Sequence, residues 1–292
     1  MLPLESVPNF SEGRDAETID AIGAALGTRA RLLDVHADPD HNRSVFTLVG
    51  SEVELTEALL AGVACARDRI DLRRHEGAHP RVGAADVVPL VPIRPDDISR
   101  AKAAALTLAE RIGGELGLPV FLYGELARGK APAFFRAGGV EGLRHRVETG
   151  ELEPDFGPLA VGEAAGAVLV GARQPLIAFN VNLRGSVETA SAIAAVVRER
   201  DGGFPGVRAL GLDLPSAGVV QVSMNVEDWE AAALHEIVAT IEREAVTRDA
   251  DVLGSELVGL MPAGAAAAAA GAALRIERFE ASRVLELRLL DD

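Results

Sequence analysis

The fold is decided by residues 31–68, which read RLLDVHADPDHNRSVFTLVGSEVELTEALLAGVACARD. Residues 31–35 and 44–49 are runs of strand length, and the residues between them, 38–42, are of the types that favour turns. A serine then precedes residues 52–68, and this predicts a long helix that begins at a serine cap. The stretch is therefore predicted to form a strand, a turn, a second strand and a helix.

The flanking sequence extends this order through the first half of the chain. Apolar residues recur at helical spacing in some segments and form short strand-like runs in others. The additional predicted elements are strands at 4–10, 87–93 and 120–123 and helices at 16–26 and 97–116. The first half therefore reads β-α-β-β-α-β, extended by one further helix and strand.

The second half repeats the same order. Its predicted elements are strands at 176–183, 207–212, 219–225 and 256–261 and helices at 187–199 and 227–245. Corresponding residues are separated by nearly constant offsets, 171 for Asn9 and Asn180 and 175 for Glu52 and Glu227. Such offsets indicate duplication of one structural unit.

The repeated β-α-β-β-α-β order is that of the ferredoxin-like split fold, in which helices cover one face of an antiparallel sheet. We therefore expect an α+β protein with two ferredoxin-like subdomains, residues 1–175 and 176–292. Their bare sheet faces are expected to face each other across a cleft. Residues 124–173 are rich in Gly and Pro and are predicted to be an irregular stretch of the first subdomain, with one short helix around residues 141–149. The Ala run 265–270 predicts a packed helix, and no element is assigned to the tail 276–292.

Composition limits the possible partners. The formal net charge of −15 argues against nucleic acid and anionic membranes. Cys65 is the single cysteine, so a disulfide within one chain is impossible and a reducing compartment is expected. The sequence has no basic-then-apolar leader and no run of 18 apolar residues. We therefore expect a soluble cytoplasmic protein.

Residues 75–86, HEGAHPRVGAAD, have two conflicting interpretations. The pattern H-E-x-x-H is typical of zinc proteases, but it requires a helix that places both histidines on one face. Gly77 between the histidines and Pro80 after the second disfavour such a helix. The other interpretation is a loop that presents His79 and Arg81 at the start of a buried strand, where a free imidazole suits proton transfer at neutral pH.

A metal site stays open as an alternative at this point. His36, Asp38, Asp40 and His41 lie within six residues and have the composition of metal ligands. Together with His75 and His79 they would suggest a zinc-dependent hydrolase. The Asp residues around Pro39 are, however, also the residues that a turn between strands favours.

Several polar residues are predicted to lie at strand ends or in the adjoining loops. If the duplicated sheets face each other, these side chains could converge on one cleft, although each is also an ordinary turn residue. They are Asn9, Glu12, Arg14, Asn42, Arg43, His79 and Arg81.

Seven motifs, collinear from about residue 5 to residue 262, resemble those of the glutamate formimidoyltransferase family, the transferase part of the formiminotransferase-cyclodeaminase family. They are VPNFSEG (7–13), DHNR (40–43), HPRVGA (79–84), LYGE (122–125), PDFGP (154–158), AFNVNL (178–183) and LVGL (257–260). The resemblance implies two ferredoxin-like subdomains with a tunnel between their sheets, and a homodimer.

The implied reaction is transfer of the formimidoyl group of N-formimidoyl-L-glutamate to N5 of tetrahydrofolate, a step of histidine breakdown. Tetrahydrofolate is then a co-substrate, and no metal is expected. The family's catalytic histidine falls on His79. Because the chain stops at residue 292 without a cyclodeaminase domain, we expect a separate cyclodeaminase to take the product. A formyl rather than formimidoyl donor stays an open alternative.

The resemblance also implies a folate-binding segment, and the chemistry of the two substrates suggests further binding residues. The family's folate segment falls on residues 157–166, although residues 159–165, LAVGEAA, are poorer in Ser and aromatic residues than in the animal enzyme, and position 36, often acidic there, is His. Carboxylates are expected to hold the cationic formimidoyl group, and arginines to bind the glutamyl carboxylates. The predicted substrate- and folate-binding residues are Asn9, Glu12, Asp38, Asp40, Asn42, Arg43, Arg81, Gly157, Pro158, Gly162, Gly166, Arg173, Asn180 and Asn182.

Overall fold

The computed structural model describes residues 2–77 and 80–288 of the chain. It is a mixed α+β protein that divides into two compact units, Met1–Gln174 and Pro175–Asp292, called here the N-terminal and C-terminal units. His79, the predicted catalytic residue, lies outside the described residues.

The elements of the N-terminal unit follow the predicted order, with most ends within two residues of the prediction. They are β1 (Leu4–Ser6), β2 (Asn9–Phe10), α1 (Ala16–Leu26), β3 (Arg31–Asp38), β4 (Arg43–Gly50), α2 (Glu52–Arg69), β5 (Ala85–Pro92), α3 (Ile98–Glu115), β6 (Val120–Gly124), α4 (Pro132–Arg136), α5 (Gly139–Glu148) and β7 (Val168–Ala172). Ser51 caps α2 as predicted, and its side chain accepts a hydrogen bond from Glu54 N.

The strands of this unit form one sheet in the order β3–β4–β1/β2–β5–β7–β6. The predicted single strand 4–10 is interrupted: β1 and β2 both pair antiparallel with β4 and β5, in line with each other. Pro8 lies at the break because proline lacks a backbone N–H for a sheet ladder, and its carbonyl oxygen accepts from Phe46 N at 3.1 Å.

Residues 124–173 are more regular than predicted. The short helix expected at 141–149 is confirmed as α5, but α4 and the buried strand β7 were not predicted. β7 lies between β5 and β6 and is parallel to both. All five of its residues are buried. A parallel strand covered on both faces carries a continuous apolar run without a period of two, so the alternation that identifies half-buried strands was missing.

Helices cover both faces of part of this sheet. The helices α1, α2 and α3 pack on one face, where the core contains Phe10 and Phe46 in edge-to-face contact with ring centroids 5.4 Å apart. On the other face of β5, β7 and β6, a second apolar cluster includes Phe121 with Phe135 of α4 and Leu143 of α5. The start of β5 is therefore held rigidly from both sides.

The C-terminal unit repeats the order without the extension. Its elements are β8 (Ile177–Arg184), α6 (Val187–Val197), β9 (Val207–Leu214), β10 (Val219–Val226), α7 (Leu234–Thr247), β11 (Asp251–Val258), α8 (Ala263–Leu274) and α9 (Leu285–Arg288). The sheet order is β11–β8–β10–β9, and all its pairs are antiparallel. When the four strands of each repeat are numbered in chain order, with β1 and β2 counted as one strand, both sheets have the spatial order 4-1-3-2. α8 includes the Ala run that was predicted to be helical.

Two predicted boundaries in this unit are wrong. The helix predicted to begin at Glu227 begins at Leu234, because the Asp228 carboxylate accepts a hydrogen bond from Ala231 N and holds a turn there. The strand predicted at 256–261 spans Asp251–Val258. Its first half contains Gly254 and a bulge next to it, and glycine and bulges both weaken the sequence signal of a strand.

Candidate functional site

The turn between β3 and β4 is built around the Asp38 carboxylate. Asp38 Oδ1 accepts from the backbone N–H groups of Asp40 at 2.8 Å and His41 at 2.9 Å, and Oδ2 pairs with His41 Nδ1. Burial raises the pKa of Asp38, but the bonds from the His41 side chain and the backbone amides outweigh it and lower the pKa to about 2. The carboxylate is therefore ionised at neutral pH and fixes the turn.

Asn42 joins three separate segments of the chain. Its Oδ1 accepts from Gly13 N at 2.9 Å, its Nδ2 donates to Glu76 O at 3.0 Å, and the residue is buried. Asn42 has a φ of 47°, a conformation that asparagine tolerates better than most residues. At Gly13 a Cβ atom would lie 2.2 Å from Asp38 O, so only glycine fits beside the turn.

The Arg81 guanidinium group binds the same turn from the other side. It donates to Asn42 O at 3.0 Å and to His41 O at 2.9 Å, and it contacts His75 Nδ1 at 2.9 Å. At Gly77 a Cβ atom would lie 2.4 Å from the backbone oxygen of His41, so glycine is needed there too. The described residues on both sides of position 79 are therefore anchored to the β3–β4 turn.

Positive charge is concentrated around Arg81 although the chain is acidic overall. Burial lowers the pKa of Arg81 to about 10; the Asp86 carboxylate opposes that shift, and neighbouring guanidinium groups add to it. These groups belong to Arg43, Arg136 and Arg14. With a pKa of about 10, Arg81 stays charged at neutral pH, and the cluster suits an anionic group such as a carboxylate.

His75 lies in extended backbone, with φ −90° and ψ 125°, directly after the short 3-10 turn Leu72–Arg74. Residues 75–77 are not helical, which confirms the loop interpretation for the described part of this stretch and removes the zinc-protease pattern there. Burial and the Arg81 charge lower the pKa of the His75 imidazole, so it is neutral at pH 7. Among the described residues, no three His, Cys, Asp or Glu side chains are grouped closely enough to hold a metal ion.

The predicted folate segment, residues 157–166, leads directly into a seam with the loop before β5. Ala84 N donates to Ala165 O at 2.9 Å, and Ala167 N donates to Val82 O at 2.8 Å. At Gly83 a Cβ atom would lie only 1.9 Å from Ala167 O, so the two backbones approach as closely as glycine allows. The structure thus brings together two stretches that are about 80 residues apart in the sequence.

The other end of the folate segment is fixed on β6. Gly157 has a φ of 83°, and a Cβ atom there would lie 2.2 Å from Leu118 O. Its neighbour Phe156 accepts a hydrogen bond from Val120 N at 2.9 Å. Between the two anchored ends, Pro158 is exposed and a Cβ atom at Gly162 would meet nothing within 4 Å. Val161, also in this part, is buried, and its carbonyl oxygen accepts from Arg144 Nε at 3.1 Å, so the segment is a loop fixed at both ends and at Val161.

Asp86 and Arg136 form a buried ion pair that the sequence did not reveal. Asp86 Oδ1 accepts from Val82 N at 2.7 Å, and Oδ2 pairs with the Arg136 guanidinium group on α4. Asp86 is 4% exposed. The pair locks the loop after position 79 to the helical layer, and the 50-residue separation of its members explains why no local pattern indicated it.

An open cleft of about 390 Å³ lies beside this loop, within the N-terminal unit. Its lining combines the loop on either side of position 79 with the start of α5. The lining residues are Leu72, His75, Glu76, Gly77, Pro80, Arg81, Gly139 and Val140.

Several other predicted residues have local partners in the fold. Asn9 Nδ2 donates to Val7 O at 3.0 Å, and Glu12 Oε1 accepts from Arg14 N at 2.7 Å and Asp15 N at 2.9 Å. Glu12 therefore orders the entry to α1. Arg43 lies opposite Asp38 in the β3–β4 pairing.

Arg173 is not brought to the turn. It follows β7, and its backbone N–H donates to Leu90 O near the far end of β5. The loop containing Arg81 lies before Ala85, at the other end of that strand, and five strand residues span roughly 17 Å. Arg173 instead neighbours Glu5, whose pKa is raised by burial against the lowering effect of the arginine.

Asn180 and Asn182 belong to a polar cluster on the sheet of the C-terminal unit. Asn180 Nδ2 donates to Glu256 Oε2 at 3.2 Å, and Asn182 Oδ1 accepts from Gln221 Nε2 at 2.9 Å. Sequence reasoning missed Gln221 and Glu256. The spacing of the two asparagines could have indicated them. Residues two apart on a strand share one face of the sheet, and two amides on one face predict polar partners on the neighbouring strands.

Comparison with known proteins gives matches to two family models that together span nearly the whole chain. Residues 3–173 match the formiminotransferase domain, N-terminal subdomain, and residues 178–284 match the formiminotransferase domain. The junction between the matches lies close to Gln174, where the N-terminal unit ends.

Individual relatives match over the same range. A glutamate formimidoyltransferase of Streptococcus pyogenes serotype M1 is 39% identical over 98% of this chain and 98% of its own length. A glutamate formimidoyltransferase of Thermoplasma acidophilum is 37% identical over 98% of this chain and 97% of its own length. A formimidoyltransferase-cyclodeaminase of Rattus norvegicus is 42% identical over 89% of this chain and 50% of its own length. Within the described residues, no helix combines the length and apolar character needed to cross a membrane.

Proposed function

The chain belongs to the formiminotransferase family, and from this membership we propose that it transfers the formimidoyl group of N-formimidoyl-L-glutamate to N5 of tetrahydrofolate, releasing L-glutamate. The observation that carries the proposal is the match, over nearly the full length of both partners, to relatives named glutamate formimidoyltransferase. The reaction is a one-carbon group transfer of histidine breakdown.

The arginine cluster of the N-terminal unit is proposed to bind substrate carboxylates. Both substrates carry a glutamyl group, and guanidinium groups bind carboxylates with two parallel hydrogen bonds. Arg81 and Arg43 are the proposed partners near the turn. Arg173, at the far end of β5, is proposed to bind a second carboxylate.

His79 is proposed as the general acid and base. The N5 amine loses a proton as it attacks the formimidoyl carbon, and the glutamate nitrogen that leaves must gain one. One imidazole near its ordinary pKa can take up the first proton and deliver the second, which is worth roughly 10²–10⁴-fold in rate. Gly77 and Arg81, which flank this position in the described chain, both lie against the β3–β4 turn, and this supports the proposal.

The folate segment and the remaining polar residues are proposed to bind the two substrates. Residues 157–166, with Gly157, Pro158, Gly162 and Gly166, are proposed to contact folate, and their seam with the loop before β5 supports this. The formimidoyl cation is proposed to be held by a carboxylate. The proposed carboxylates are Glu12, Asp38 and Asp40, and the proposed amide partners are Asn9, Asn42, Asn180 and Asn182.

We propose that both units are ferredoxin-like, which the shared strand order supports. The other expectations stay predictions of the sequence. They are domains at 1–175 and 176–292, facing sheets with a tunnel between them, a homodimer, a cytoplasmic location and a separate downstream cyclodeaminase. The relatives' names favour a formimidoyl over a formyl donor and favour transfer over zinc-dependent hydrolysis.

The test is to incubate the purified protein with tetrahydrofolate and either N-formimidoyl- or N-formyl-L-glutamate, with and without a chelator. We expect glutamate release from the formimidoyl donor that requires tetrahydrofolate and is insensitive to chelation. Release without tetrahydrofolate that the chelator abolishes would instead establish the hydrolase. Equal or faster reaction of the formyl donor would reassign the substrate.

A further inference from the structure

Four polar side chains of the C-terminal unit share one face of its sheet. Asn180 and Asn182 are two residues apart on β8, and strand pairing places Glu256 opposite Asn180 and Gln221 opposite Asn182. The intervening residues, such as Val181 and Val222, face the core formed with α6 and α7. The four polar side chains therefore lie on the face opposite these helices.

The orientation of the Gln221 amide is fixed by its neighbours. Its Nε2 donates to Asn182 Oδ1 at 2.9 Å and to Glu256 Oε2 at 3.4 Å. A carboxylate oxygen only accepts hydrogen bonds, so the amide nitrogen must point toward Glu256 and the amide oxygen must point away.

Gln221 Oε1 is consequently a buried acceptor without a hydrogen-bond donor in the described part of the chain. Gln221 is 1% exposed, and no donor among the described residues reaches Oε1. An acceptor removed from water without a donor destabilises the folded protein, and an apolar side chain would fill the same space without that cost. A bound molecule that supplies the missing N–H would satisfy this acceptor.

The surroundings define the chemistry of that molecule. The unmet group, Gln221 Oε1, can only accept a hydrogen bond, so the molecule must present an N–H donor to it, and the Glu256 carboxylate lies on the same sheet face. Amides and a carboxylate on one sheet face suit the edge of a planar, conjugated group that presents several N–H groups side by side.

We propose that Gln221 and Glu256 bind the N–H edge of a planar nitrogen-rich group on one of the two substrates. This inference rests on the proposed function, under which two sources share the chemistry: the amidine of N-formimidoyl-L-glutamate and the pterin ring of tetrahydrofolate. Gln221 Oε1 accepts one N–H, and the Glu256 carboxylate stabilises the positive or polarised partner.

The experiment measures equilibrium binding of tetrahydrofolate and of N-formimidoyl-L-glutamate, each alone, by calorimetry, and the KM for each during turnover. The test variants are Gln221→Met, which keeps the shape and removes the acceptor, and Glu256→Gln, which removes the charge. The matched control is Gln174→Met, because Gln174 is the other glutamine of the chain and is exposed.

We expect both test variants to weaken the binding of one substrate roughly tenfold or more in Kd and KM, while kcat changes little and the unfolding temperature does not fall. Loss confined to tetrahydrofolate identifies the pterin as the ligand, and loss confined to N-formimidoyl-L-glutamate identifies the amidine. The control is expected to match the wild type.

Unchanged Kd values for both ligands in both variants would overturn the inference, as would a fall in unfolding temperature and kcat without any change in KM. A wild-type protein that forms no product from either donor would contradict the proposed function. The binding measurements would still decide the role of the cluster in that case, so the two failures are distinguishable.

Discussion

β5 and β11 hold the same place in the repeated order, and they differ in almost every other respect. All eight residues of β5 are buried, whereas only Val258 of β11 is buried. β5 is paired on both sides, with β1 and β2 on one and β7 on the other, while in the described part of the chain β11 pairs with β8 alone. The extension β6–α4–α5–β7 turns an edge strand into a central one.

The difference shows how one scaffold supports two kinds of polar site. In the N-terminal unit the extension covers the loop before β5, and the charged side chains there bind mainly backbone groups, as Arg81 binds His41 O and Asn42 O. In the C-terminal unit, where no such loop is enclosed, Asn180, Gln221 and Glu256 bind one another across strands. Under the proposed function, the first site carries the chemistry and the second contributes to substrate recognition.

The largest expected effect tests that division directly. His79→Ala is expected to lower turnover roughly 10²–10⁴-fold, because the proton carrier is lost. Tetrahydrofolate binding is expected to stay near the wild-type value, in contrast to the binding losses expected for Gln221→Met. Single-turnover kinetics and calorimetry measure the two quantities. Unchanged turnover in the His79→Ala protein would show that His79 does not transfer the proton.

The next effect tests the extension itself, through two adjacent glycines of α3. At Gly113 a Cβ atom would lie 2.6 Å from Gly157 N, whereas at Gly114 it would meet nothing within 4 Å. Gly113→Ala is expected to lower the free energy of unfolding by about 3 kcal/mol through overpacking against backbone. Gly114→Ala is expected to raise it by about 0.5–1 kcal/mol, because alanine favours helix.

Urea unfolding of both variants provides the measurement. The weakened Gly113→Ala protein is also expected to bind folate less tightly, since the new methyl group displaces one anchor of residues 157–166. Equal stability of the two variants would show that the contact between α3 and the folate segment does not limit the fold.

A somewhat smaller effect concerns the Asp38 turn. Because the pKa of Asp38 is lowered to about 2 in the folded protein, its ionised form contributes about 2 kcal/mol of stability at neutral pH. This contribution is fully present above the unfolded pKa of about 3.9 and is lost as the pH falls toward 2. Asp38→Asn is therefore expected to be less stable than the wild type at pH 7 and to approach it in acid.

Denaturant titrations of both proteins between pH 7 and pH 2 measure this convergence. Asp20→Asn, at an exposed position of α1, is the control and is expected to follow the wild type. A constant difference between Asp38→Asn and the wild type across this range would mean that the turn depends on shape rather than charge.

The smallest expected effect is on the titration of His75. Burial and the Arg81 charge lower its pKa, so the unfolded chain takes up the proton first and stability falls as the pH decreases below about 6.5. NMR titration of the imidazole is expected to give a midpoint below 6.5 that rises in Arg81→Met. A midpoint at or above 6.5 in the wild type would contradict the contact between the two side chains.

The parts of the fold that the sequence predicted are those with local signals. α1 was predicted with its observed ends, and α2 began at its serine cap, because amphipathic spacing and capping are properties of neighbouring residues. β7 was missed because a strand buried on both faces has no alternation. The start of α7 was missed because Asp228 holds a turn within a sequence of good helix formers.

The residues of the candidate site were predictable from the sequence only where they belong to a recognisable motif. Sequence alone indicated Asn42, Arg81 and the folate segment, and the structure shows how they are fixed. The Arg136 partner of Asp86 and the Glu256 partner of Gln221 lie 50 and 35 residues away along the chain. Such pairs depend on strand register and helix placement, which no local pattern specifies.

The position of β7 also dictates the sequence of events as the polypeptide is made. β7 follows β6 in the chain but lies between β5 and β6, so the ribosome releases the two outer members of this trio before the strand that joins them. β5 therefore lacks its second neighbouring strand until residues 168–172 have been synthesised. The seam between residues 165–167 and the loop before β5 therefore cannot form before that stretch has been synthesised.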